Sequence, residues 1–527
     1  MEEHILTKEN ITLEEVSPKD RIGGYPKDTP KLTKRLLEII PGLFTWLFIL
    51  SPLLVALLGI PNVLVFYVAF LMVYWMLRAV RFIFGLIIGS ARIKRDLNTD
   101  WIEKLKTEFP EKYNSLNYVY LCPTYKEDYQ LLRESALRVA ESDFGEKKIT
   151  LLMAIEEKYA ETQIESFKKI KAEFGHIYKE MICFVHPANI SGEIAGVKGA
   201  NINWAAREYV KLIKSRGEDL NNYLLISVDS DWRPHPKFLS AVAYKYCTTP
   251  NPNQKFYASA LHTFNNNLWR VPPLVRIFSS TLTIVILHNW VVSKRNSETF
   301  SGYIANLQTI HETEYWAPDI QNDDTAFYWN ALIRYNGDFS GVEVYLPTYN
   351  DAVENETQFK THQSLYKQQH RWGWGIIIFP ITLAALFANK KIPPFKKFDI
   401  LLSLIENRLF YLTVVYMLTF ALPLLNIFSD QFSYSSAAYN LPNMLSGVMT
   451  SLMVLNLPII YFRRQIHPAP KDWTIFRHIW DYLETILMTI NMLTFAFIPF
   501  IQAHTEMMIG KGAKKVLYVT DKVAIKK

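Results

Sequence analysis

Residues 223–236 read YLLISVDSDWRPHP, and this stretch indicates both the fold and the position of a candidate site. The apolar run at 223–231 predicts a buried β-strand that ends in Asp229 and Asp231. Because alternate residues of a strand face the same way, both carboxylates can point at one ion. Oxygen ligands of this kind suit Mg²⁺ or Mn²⁺ held together with a diphosphate. An aspartate-rich turn without a ligand would have the same sequence, so the motif needs its context.

Around this stretch, apolar strand-like runs alternate with amphipathic helical patterns. We predict strands at 118–125, 149–157 and 182–187, and helices at 131–140, 161–175 and 198–213. This alternation predicts an α/β domain with a mostly parallel sheet and helices on both faces. Ligands of such sheets bind at the carboxyl ends of the strands. Polar residues collect at those ends here, at 124–127, 156–157 and 229–231.

Apolar runs on both sides of this domain predict an integral membrane protein. Four runs are long enough, or nearly so, to cross a bilayer: 41–59, 63–77, 401–428 and 441–461. Basic residues flank the first pair on both sides, which predicts a hairpin with both ends in the cytosol. The connection at 429–440 has no Lys or Arg and is predicted to be external. The alternative for the first pair is a buried helical hairpin of a soluble protein.

The predicted organisation follows from these runs. We expect a cytosolic N-terminal tail (1–40), a transmembrane hairpin (41–90), a cytosolic α/β domain (91–372), an interfacial helix (373–400), two transmembrane helices (401–462) and an interfacial or re-entrant segment with a basic tail (463–527). Two stretches, 375–388 and 482–503, are ambiguous. If both crossed the membrane, the basic loops near 391 and 465 would face outward, so the charge rule favours four crossings over six.

Composition excludes several classes of protein. The chain has 527 residues, of which 50% are hydrophobic and 20% charged, and a net charge of +7. Three cysteines, Cys122, Cys183 and Cys247, exclude a disulfide framework and fit a reducing compartment. Basic residues flank the apolar runs without an aromatic-basic patch. This argues against a nucleic-acid partner and is explained by attraction to membrane lipids.

Two further motifs follow the aspartates. Asp323 and Asp324 are adjacent carboxylates at a predicted helix start; they either complement the helix dipole or supply a general base. The sequence QQHRW at 368–372 lies just before an apolar run. Its Arg371 can pair with a phosphate and its Trp372 can stack on a sugar ring, unless the motif is an interfacial aromatic-basic belt.

The order and spacing of these motifs resemble those of membrane-embedded family 2 glycosyltransferases, the group that includes cellulose, chitin and hyaluronan synthases. DSD is similar to the metal-binding DxD of that group, NDD (322–324) to its TED-type motif, and QQHRW to Q(Q/R)xRW. KGANIN (198–203) and PTYKED (123–128) resemble its nucleotide-binding segments. The resemblance covers roughly residues 41–525 and is greatest to a prokaryotic branch with HPAN and RPHP segments.

The resemblance implies a GT-A type domain inserted between transmembrane helices. The implied reaction is an inverting transfer of a sugar from a nucleoside diphosphate sugar, with a UDP-sugar favoured over a GDP-sugar, to a growing β-linked polysaccharide. Asp324 would be the base, and Asp229 and Asp231 would bind Mg²⁺ or Mn²⁺. The implied donor-binding residues are Tyr125, Glu127, Glu156, Glu157, Lys198, Asp229, Arg371, Thr520 and Lys522, and the acceptor-binding residues are Gln368, Trp372 and Asp323. Thr520 and Lys522 belong to VTDK (519–522), which resembles a gating loop over the donor.

Two departures from the family pattern keep other functions open. Glu156 and Glu157 stand where the family has two aspartates, and the sequence ends at Lys527, soon after the gating-like segment. The alternatives are transfer of a single sugar to a lipid acceptor, and an inactive scaffold or partner subunit of a synthase complex. Companion subunits are compatible with each of these functions. The resemblance places the protein in the plasma membrane of a prokaryote, with the α/β domain in the cytosol.

Overall fold

A nine-stranded mixed sheet forms the centre of the protein in the computed structural model, which describes residues 5–6, 24–26, 28–194, 196–292 and 297–511. The strand order is β1-β4-β3-β2-β5-β8-β7-β9-β6. The strands are β1 (Ile5–Leu6), β2 (Asn117–Thr124), β3 (Ile149–Glu156), β4 (Glu180–His186), β5 (Tyr223–Ser227), β6 (Arg233–Pro234), β7 (Lys255–Thr263), β8 (Tyr303–Asn306) and β9 (Ser340–Tyr349).

The half of the sheet from β1 to β5 is parallel, as the alternation of strands and helices predicts. Leu121 in β2 pairs with Leu152 in β3 and with Ser227 in β5, so the carboxyl ends of these strands lie at one edge. In the other half, β8 runs antiparallel to β5 and β7, and β6 runs antiparallel to β9. The sequence analysis did not predict this half.

Eleven helices precede or accompany the sheet within the described residues. They are α1 (Lys31–Leu57), α2 (Pro61–Asn98), α3 (Trp101–Glu108), α4 (Pro110–Ser115), α5 (Tyr129–Ala140), α6 (Ala160–Phe174), α7 (Lys198–Ser215), α8 (Phe238–Thr248), α9 (Pro273–Val292), α10 (Leu307–Glu312) and α11 (Asp323–Arg334). Alternate residues of β2 enter two cores: Val119 packs in the same core as Ala205 of α7, and Tyr120 in the same core as Val139 of α5. Helices therefore cover both faces of the sheet, as predicted.

Up to residue 511, where the described residues end, nine more helices follow the sheet: α12 (Gln358–Gly373), α13 (Ile378–Ala388), α14 (Pro394–Ile405), α15 (Tyr411–Phe428), α16 (Asp430–Ser433), α17 (Ser436–Ile466), α18 (Ile475–Glu484), α19 (Leu487–Leu493) and α20 (Ile498–Met508). A 3₁₀ turn at Trp374–Ile377 joins α12 to α13, and a π-helical turn at Glu406–Phe410 joins α14 to α15. Helix α1 packs on α15 and α20, so the first and last apolar segments form one bundle.

Six segments of the described residues are long and apolar enough to cross a membrane: Lys31–Leu57, Pro61–Asn98, Pro273–Val292, Gln358–Ala388, Pro394–Phe428 and Ile475–Met508. Five of them overlap runs that the sequence indicated as spanning or ambiguous. The sixth segment is helix α9 (Pro273–Val292), which lies in the stretch that the sequence analysis assigned to the cytosolic α/β domain. Helix α9 packs on β7 and on α2, so its apolar side chains join the sheet to the long helix α2. The predicted stretch 441–461 lies within α17.

Helix α18 has its charged residues inside and its apolar residues outside. Asp481 and Glu484 are buried and paired with Arg463 and Arg276, whereas Phe476 is 79% exposed. Ile475, Ile479, Trp480 and Leu483 are also exposed. A helix with this arrangement leaves an apolar face that a lipid surface would cover.

Candidate active site

The two aspartates of the DSD motif lie in a turn and not on a strand. Strand β5 ends at Ser227, and the backbone N–H of Trp232 donates to the carbonyl of Asp229 (3.1 Å), which closes a turn. The expectation that strand alternation aligns the two carboxylates was therefore wrong, because the chain leaves the sheet before the first aspartate. Asp229 lies 3.1 Å from Lys198 Nζ through its Oδ1, and Asp231 Oδ2 accepts a hydrogen bond from the backbone N–H of Asp351 (2.9 Å).

Lys198 joins two of the predicted motifs. It is the first residue of α7, and its Nζ donates to Asp324 Oδ2 (2.9 Å) in addition to its contact with Asp229. Burial lowers the pKa of this ammonium group, but the carboxylates of Asp229, Asp324 and Asp323 outweigh burial and raise the pKa above its usual value. Lys198 therefore stays charged at neutral pH, between the DSD turn and the start of α11.

Asp323 and Asp324 begin α11, as predicted from the sequence. Ser227 Oγ donates to Asp324 Oδ1 (3.4 Å), and Thr299 Oγ1 donates to the backbone carbonyl of Asp324 (2.5 Å). Burial raises the pKa of Asp324; Asp229 raises it further and Lys198 lowers it. A carboxylate that is desolvated but still 15% exposed can accept a proton from a bound hydroxyl.

Asp323 has a different environment from its neighbour. It is 4% exposed, and its Oδ2 is buried without a hydrogen-bond partner among the described residues. Burial, followed by the charge of Asp324, raises the pKa of Asp323 to about 8. Its side chain packs against Gly199 on α7. Contact of Asp323 with an acceptor stays a prediction.

The turn after β2 reaches the DSD motif through Glu127. The carboxylate of Glu127 accepts hydrogen bonds from the backbone N–H of Tyr125 (2.5 Å) and from Ser230 Oγ (3.3 Å). The ring of Tyr125 lies edge-on to that of Tyr159, with the centroids 4.5 Å apart. Two of the predicted donor-binding residues, Tyr125 and Glu127, are thus held beside the turn that carries Asp229 and Asp231.

The glutamate pair after β3 is held by the end of β4. His186 Nδ1 lies 3.3 Å from Glu156 Oε2, and its Nε2 lies 2.9 Å from Glu193 Oε2. Burial lowers the pKa of His186, but hydrogen bonds to the two glutamates outweigh burial and raise it to about 9. Glu157 Oε2 accepts the backbone N–H of Ala188 (2.6 Å). Glu156 and His186 lie opposite each other at the ends of the parallel strands β3 and β4. Ionisable residues at the ends of two neighbouring predicted strands are the sequence signal that could have revealed this pair.

The QQHRW motif ends α12 and packs against α20. Gln369 and His370 are buried, and His370 Nε2 lies 2.9 Å from Glu506 Oε2. Arg371, Trp372 and Gln368 are partly buried. The ring of Trp372 lies 6.3 Å from that of Phe278 in α9. The other two predicted donor-binding residues of the C-terminal part, Thr520 and Lys522, lie outside the described residues.

The sequence analysis missed a polar group in the helix bundle. Arg408, in the π-helical turn, forms an ion pair with Glu298, and both side chains are less than one fifth exposed. Ionisable residues inside apolar segments are rare and mostly functional. A charge within the predicted span 401–428 was the signal that could have identified Arg408.

Binding of a divalent cation by Asp229 and Asp231 stays a prediction. Among the described residues, no group of three or more His, Cys, Asp or Glu side chains is positioned to hold a metal. Two carboxylates are sufficient where phosphate oxygens and water supply the other ligands of Mg²⁺. The side chain of Asp229 is 45% exposed, so it is accessible to a ligand from solvent.

Comparison with known proteins leaves the family of this chain open. No protein-family model matches the sequence, and no curated protein matches it. Similar solved structures include the mannosyltransferase PcManGT from Pyrobaculum calidifontis with GDP-Man and Mn²⁺ (12% identity, TM-score 0.40, 82% of this chain and 99% of that one). They also include S. aureus TarS 1–349 with UDP-GlcNAc (11%, 0.33, 67% and 90%) and GalNAc-T7 with UDP, GalNAc and Mn²⁺ (7%, 0.27, 56% and 57%). TM-scores this low do not establish a shared fold or activity.

Proposed function

We propose that the protein is a membrane-embedded glycosyltransferase that transfers a sugar from a nucleoside diphosphate sugar to an acceptor hydroxyl. The observation that carries this proposal is the position of Lys198, whose Nζ lies 3.1 Å from Asp229 and 2.9 Å from Asp324. One of these carboxylates belongs to a turn suited to a metal and a diphosphate, and the other begins a helix where it can act as a base. A sugar bound between them would have its leaving group on one side and its acceptor on the other.

The reaction is a single displacement at the anomeric carbon. Asp324, held by Lys198 and Ser227, takes the proton of the acceptor hydroxyl while the hydroxyl oxygen attacks that carbon. The bond to the diphosphate oxygen breaks, and its electron pair leaves with the nucleoside diphosphate. Inversion converts an α-linked donor to a β-linked product. Lys198 and Arg371 supply positive charge to the leaving phosphates.

Asp229 and Asp231 would hold Mg²⁺ or Mn²⁺ at the diphosphate. A divalent ion bound there would offset the negative charge that develops on the leaving group. Glu127 and Tyr125 would line the nucleotide pocket, as the resemblance to family 2 enzymes implies. The same resemblance favours a UDP-sugar over a GDP-sugar as donor.

Membrane attachment is supported by two features. In the part of the chain that the structure describes, six segments are long and apolar enough to cross a bilayer, and α18 has an exposed apolar face around Phe476 with buried acids behind it. The basic loops near 391 and 465 favour the cytosolic side for the sheet domain. We therefore propose that the sheet domain, with a GT-A type fold, lies at the cytosolic face of the plasma membrane.

The resemblance favours a β-linked polysaccharide as acceptor, with a lipid acceptor as the second candidate. A cavity beside Trp372 specifically favours the lipid. The third candidate, an inactive scaffold, is less well supported than the other two. It was suggested in part by Glu156 and Glu157 in place of two aspartates, and the ion pair of Glu156 with His186 gives the first of these glutamates a structural role.

The test is release of nucleoside diphosphate by membranes that carry the full chain. A panel of nucleotide sugars is supplied with Mn²⁺ or Mg²⁺. We expect release from one donor and its loss in Asp324→Asn, while Asp338→Asn, on an exposed residue paired with Lys396, serves as the matched control. Full activity of Asp324→Asn would contradict the proposal. So would folded protein that neither binds nor cleaves any donor.

A further inference from the structure

A cavity of about 240 Å³ lies in the helix bundle beside the QQHRW motif. It is lined by Trp372 of α12, by residues from Asn407 to Val415 of the π-helical turn and α15, and by residues from Met492 to His504 of α19 and α20. A volume this small is below the usual range of about 300–1,000 Å³ for ligand pockets. It suits one head group or chain segment and is too small for several sugar residues of a polymer.

The lining is polar at one end and apolar at the other. Arg408 and His504 line the polar end of the cavity. Val415, seven residues after Arg408, and Phe497, seven residues before His504, line the apolar end. Seven residues of α-helix span about 10 Å, so polar and apolar lining are separated along the bundle. An occupant that matches this lining has a polar head and an apolar chain.

The polar end adjoins the proposed base. A Cβ atom placed on Gly375 would lie 3.3 Å from Asn322 Nδ2 and 3.7 Å from Arg408 NH1, so both side chains meet at this glycine. Asn322 directly precedes Asp323 and Asp324 at the start of α11. A head group at Arg408 is therefore next to the segment that carries the general base.

The polar atoms at this end favour a hydroxyl over a phosphate. Asn407, Arg408 and His504 line this end, and their side chains offer nitrogen and oxygen atoms that can hydrogen-bond to an uncharged hydroxyl. The charge of Arg408 is already matched by Glu298, whose carboxylate would repel an anion.

We propose that the acceptor is a lipid with an uncharged, hydroxyl-bearing head group, which lies at Arg408 and His504 while its chain lies along Val415 and Phe497. This proposal rests on the proposed glycosyltransferase function and decides between its two acceptor classes. The lipid hydroxyl loses its proton to Asp324, its oxygen bonds to the anomeric carbon of the donor, and the nucleoside diphosphate leaves with the electron pair of the broken bond. One sugar is added per acceptor.

The first experiment compares three acceptors with the full chain in phosphatidylcholine nanodiscs and the donor found above. They are n-octyl β-D-glucoside, methyl β-D-glucoside and dodecyl phosphate. Because burial of the octyl chain stabilises binding, we expect octyl glucoside to be used at least about tenfold better than methyl glucoside at equal concentration. Mass spectrometry should show one added sugar. Equal use of the two glucosides, transfer to dodecyl phosphate, or a polymeric product would overturn the proposal.

Cavity variants separate binding of the chain from general stability. Ala496→Phe fills the apolar lining, and we expect the KM for octyl glucoside to rise about tenfold, well beyond any change in the KM for the donor or for methyl glucoside. Ala437→Phe, at a partly buried alanine that packs in another cluster, is the matched control. Loss of donor and acceptor binding together in Ala496→Phe, or no change at all, would contradict the assignment of the cavity.

A binding measurement distinguishes failure of this proposal from failure of the proposed function. An octyl glucoside brominated on its chain should quench tryptophan fluorescence, and the quenching should decrease in Trp372→Phe. Quenching without any donor binding or cleavage would support the lipid cavity and contradict the transferase. Donor cleavage without quenching, and without stimulation by octyl glucoside, would support the transferase and overturn the lipid acceptor.

Discussion

Lys198 controls the electrostatics of the candidate site, because its ammonium group lies between the carboxylates of Asp229 and Asp324. In the proposed function, the same ammonium group binds the diphosphate of the donor. A hydrogen bond to a charged group contributes about 1.5–3 kcal/mol, so we expect Lys198→Met to lower kcat/KM for the donor by about 10- to 150-fold. Steady-state release of nucleotide measures this change.

A lysine on the same helix provides the control for this prediction. Lys211 lies on α7, is 48% exposed and pairs with Glu208 one turn away. Lys211→Met should leave kcat/KM for the donor unchanged. An unchanged value in Lys198→Met would mean that the ammonium group only balances the two carboxylates and does not contact the donor.

His186 makes stability depend on pH. Its pKa in the folded protein is about 9, because hydrogen bonds to Glu156 and Glu193 outweigh the effect of burial, whereas in an unfolded chain it is about 6.5. A raised pKa stabilises the fold fully below about pH 6.5, by roughly 3 kcal/mol, and this contribution is lost as the pH rises through about 9. We expect the thermal-unfolding midpoint of the wild type to fall across this range.

The variant His186→Gln isolates that contribution. It should lower the midpoint at pH 6.5 and show a smaller decrease between pH 6.5 and 9 than the wild type. His176→Gln, at an exposed histidine of the same domain, should follow the wild-type curve. Parallel curves for wild type and His186→Gln would show that the ion pairs with Glu156 and Glu193 do not stabilise the folded state.

At the scale of elements, the site depends on the close approach of α7 and α11. A Cβ atom at Gly199 would lie 2.7 Å from Asp323 Cβ and 2.8 Å from the carbonyl oxygen of Ala317. Neither neighbour is the end of a flexible side chain, so the helices must move apart in Gly199→Ala. Overpacking of this kind costs about 1–3 kcal/mol. We expect lower stability and reduced nucleotide release, because Lys198 and Asp324 separate.

Gly447 in α17 is the matched glycine, because a Cβ atom there would have no neighbour within 4 Å. Gly447→Ala should keep full activity and gain up to about 1 kcal/mol from helix propensity. Wild-type stability and activity in Gly199→Ala would show that α7 and α11 can separate without affecting the site.

The parallel half of the sheet could be predicted because its strands and helices alternate in sequence. Strands β2, β3 and β4 and helices α5, α6 and α7 were recovered to within about two residues at each end. The end of β5 was not, because the run 223–231 stays apolar up to Asp229 although the backbone turns there. Strands β7, β8 and β9 are separated by long insertions, and no local pattern indicates that β8 pairs antiparallel with β5 and β7 while β9 runs parallel to β7.

The candidate site was predictable as a set of residue types but not as a set of contacts. The motifs indicated Lys198, Asp229 and Asp324, whereas the ion pairs that join them require α7 and α11 to meet across 126 residues of sequence. The pair of Arg408 with Glu298 is similar, since its partners are 110 residues apart. Helix α9 was missed because an apolar helix that packs on a sheet has the composition of a core element.

At the scale of the whole molecule, six segments of the described residues are long and apolar enough to cross a membrane, and they accompany the sheet domain. Helix α15 has 18 residues and is therefore about 27 Å long, which is close to the hydrocarbon thickness of a bilayer. The turn that follows it contains Tyr434, which is 91% exposed, and no Lys or Arg lies between 429 and 440. The sheet domain and the basic loops should therefore be on the opposite side of the membrane from Tyr434.

Cysteine labelling tests this arrangement in cells. None of the three native cysteines forms a disulfide, so a background with Cys122, Cys183 and Cys247 replaced by alanine or serine removes endogenous reaction without breaking a disulfide. In that background, Tyr434→Cys should react with a membrane-impermeant maleimide in intact cells. Lys360→Cys, on the exposed start of α12, should react only after permeabilisation. If both positions reacted from the same side, α15 would not cross the membrane, and the cavity between α15 and α20 would lie outside the bilayer, where a lipid chain could not enter it.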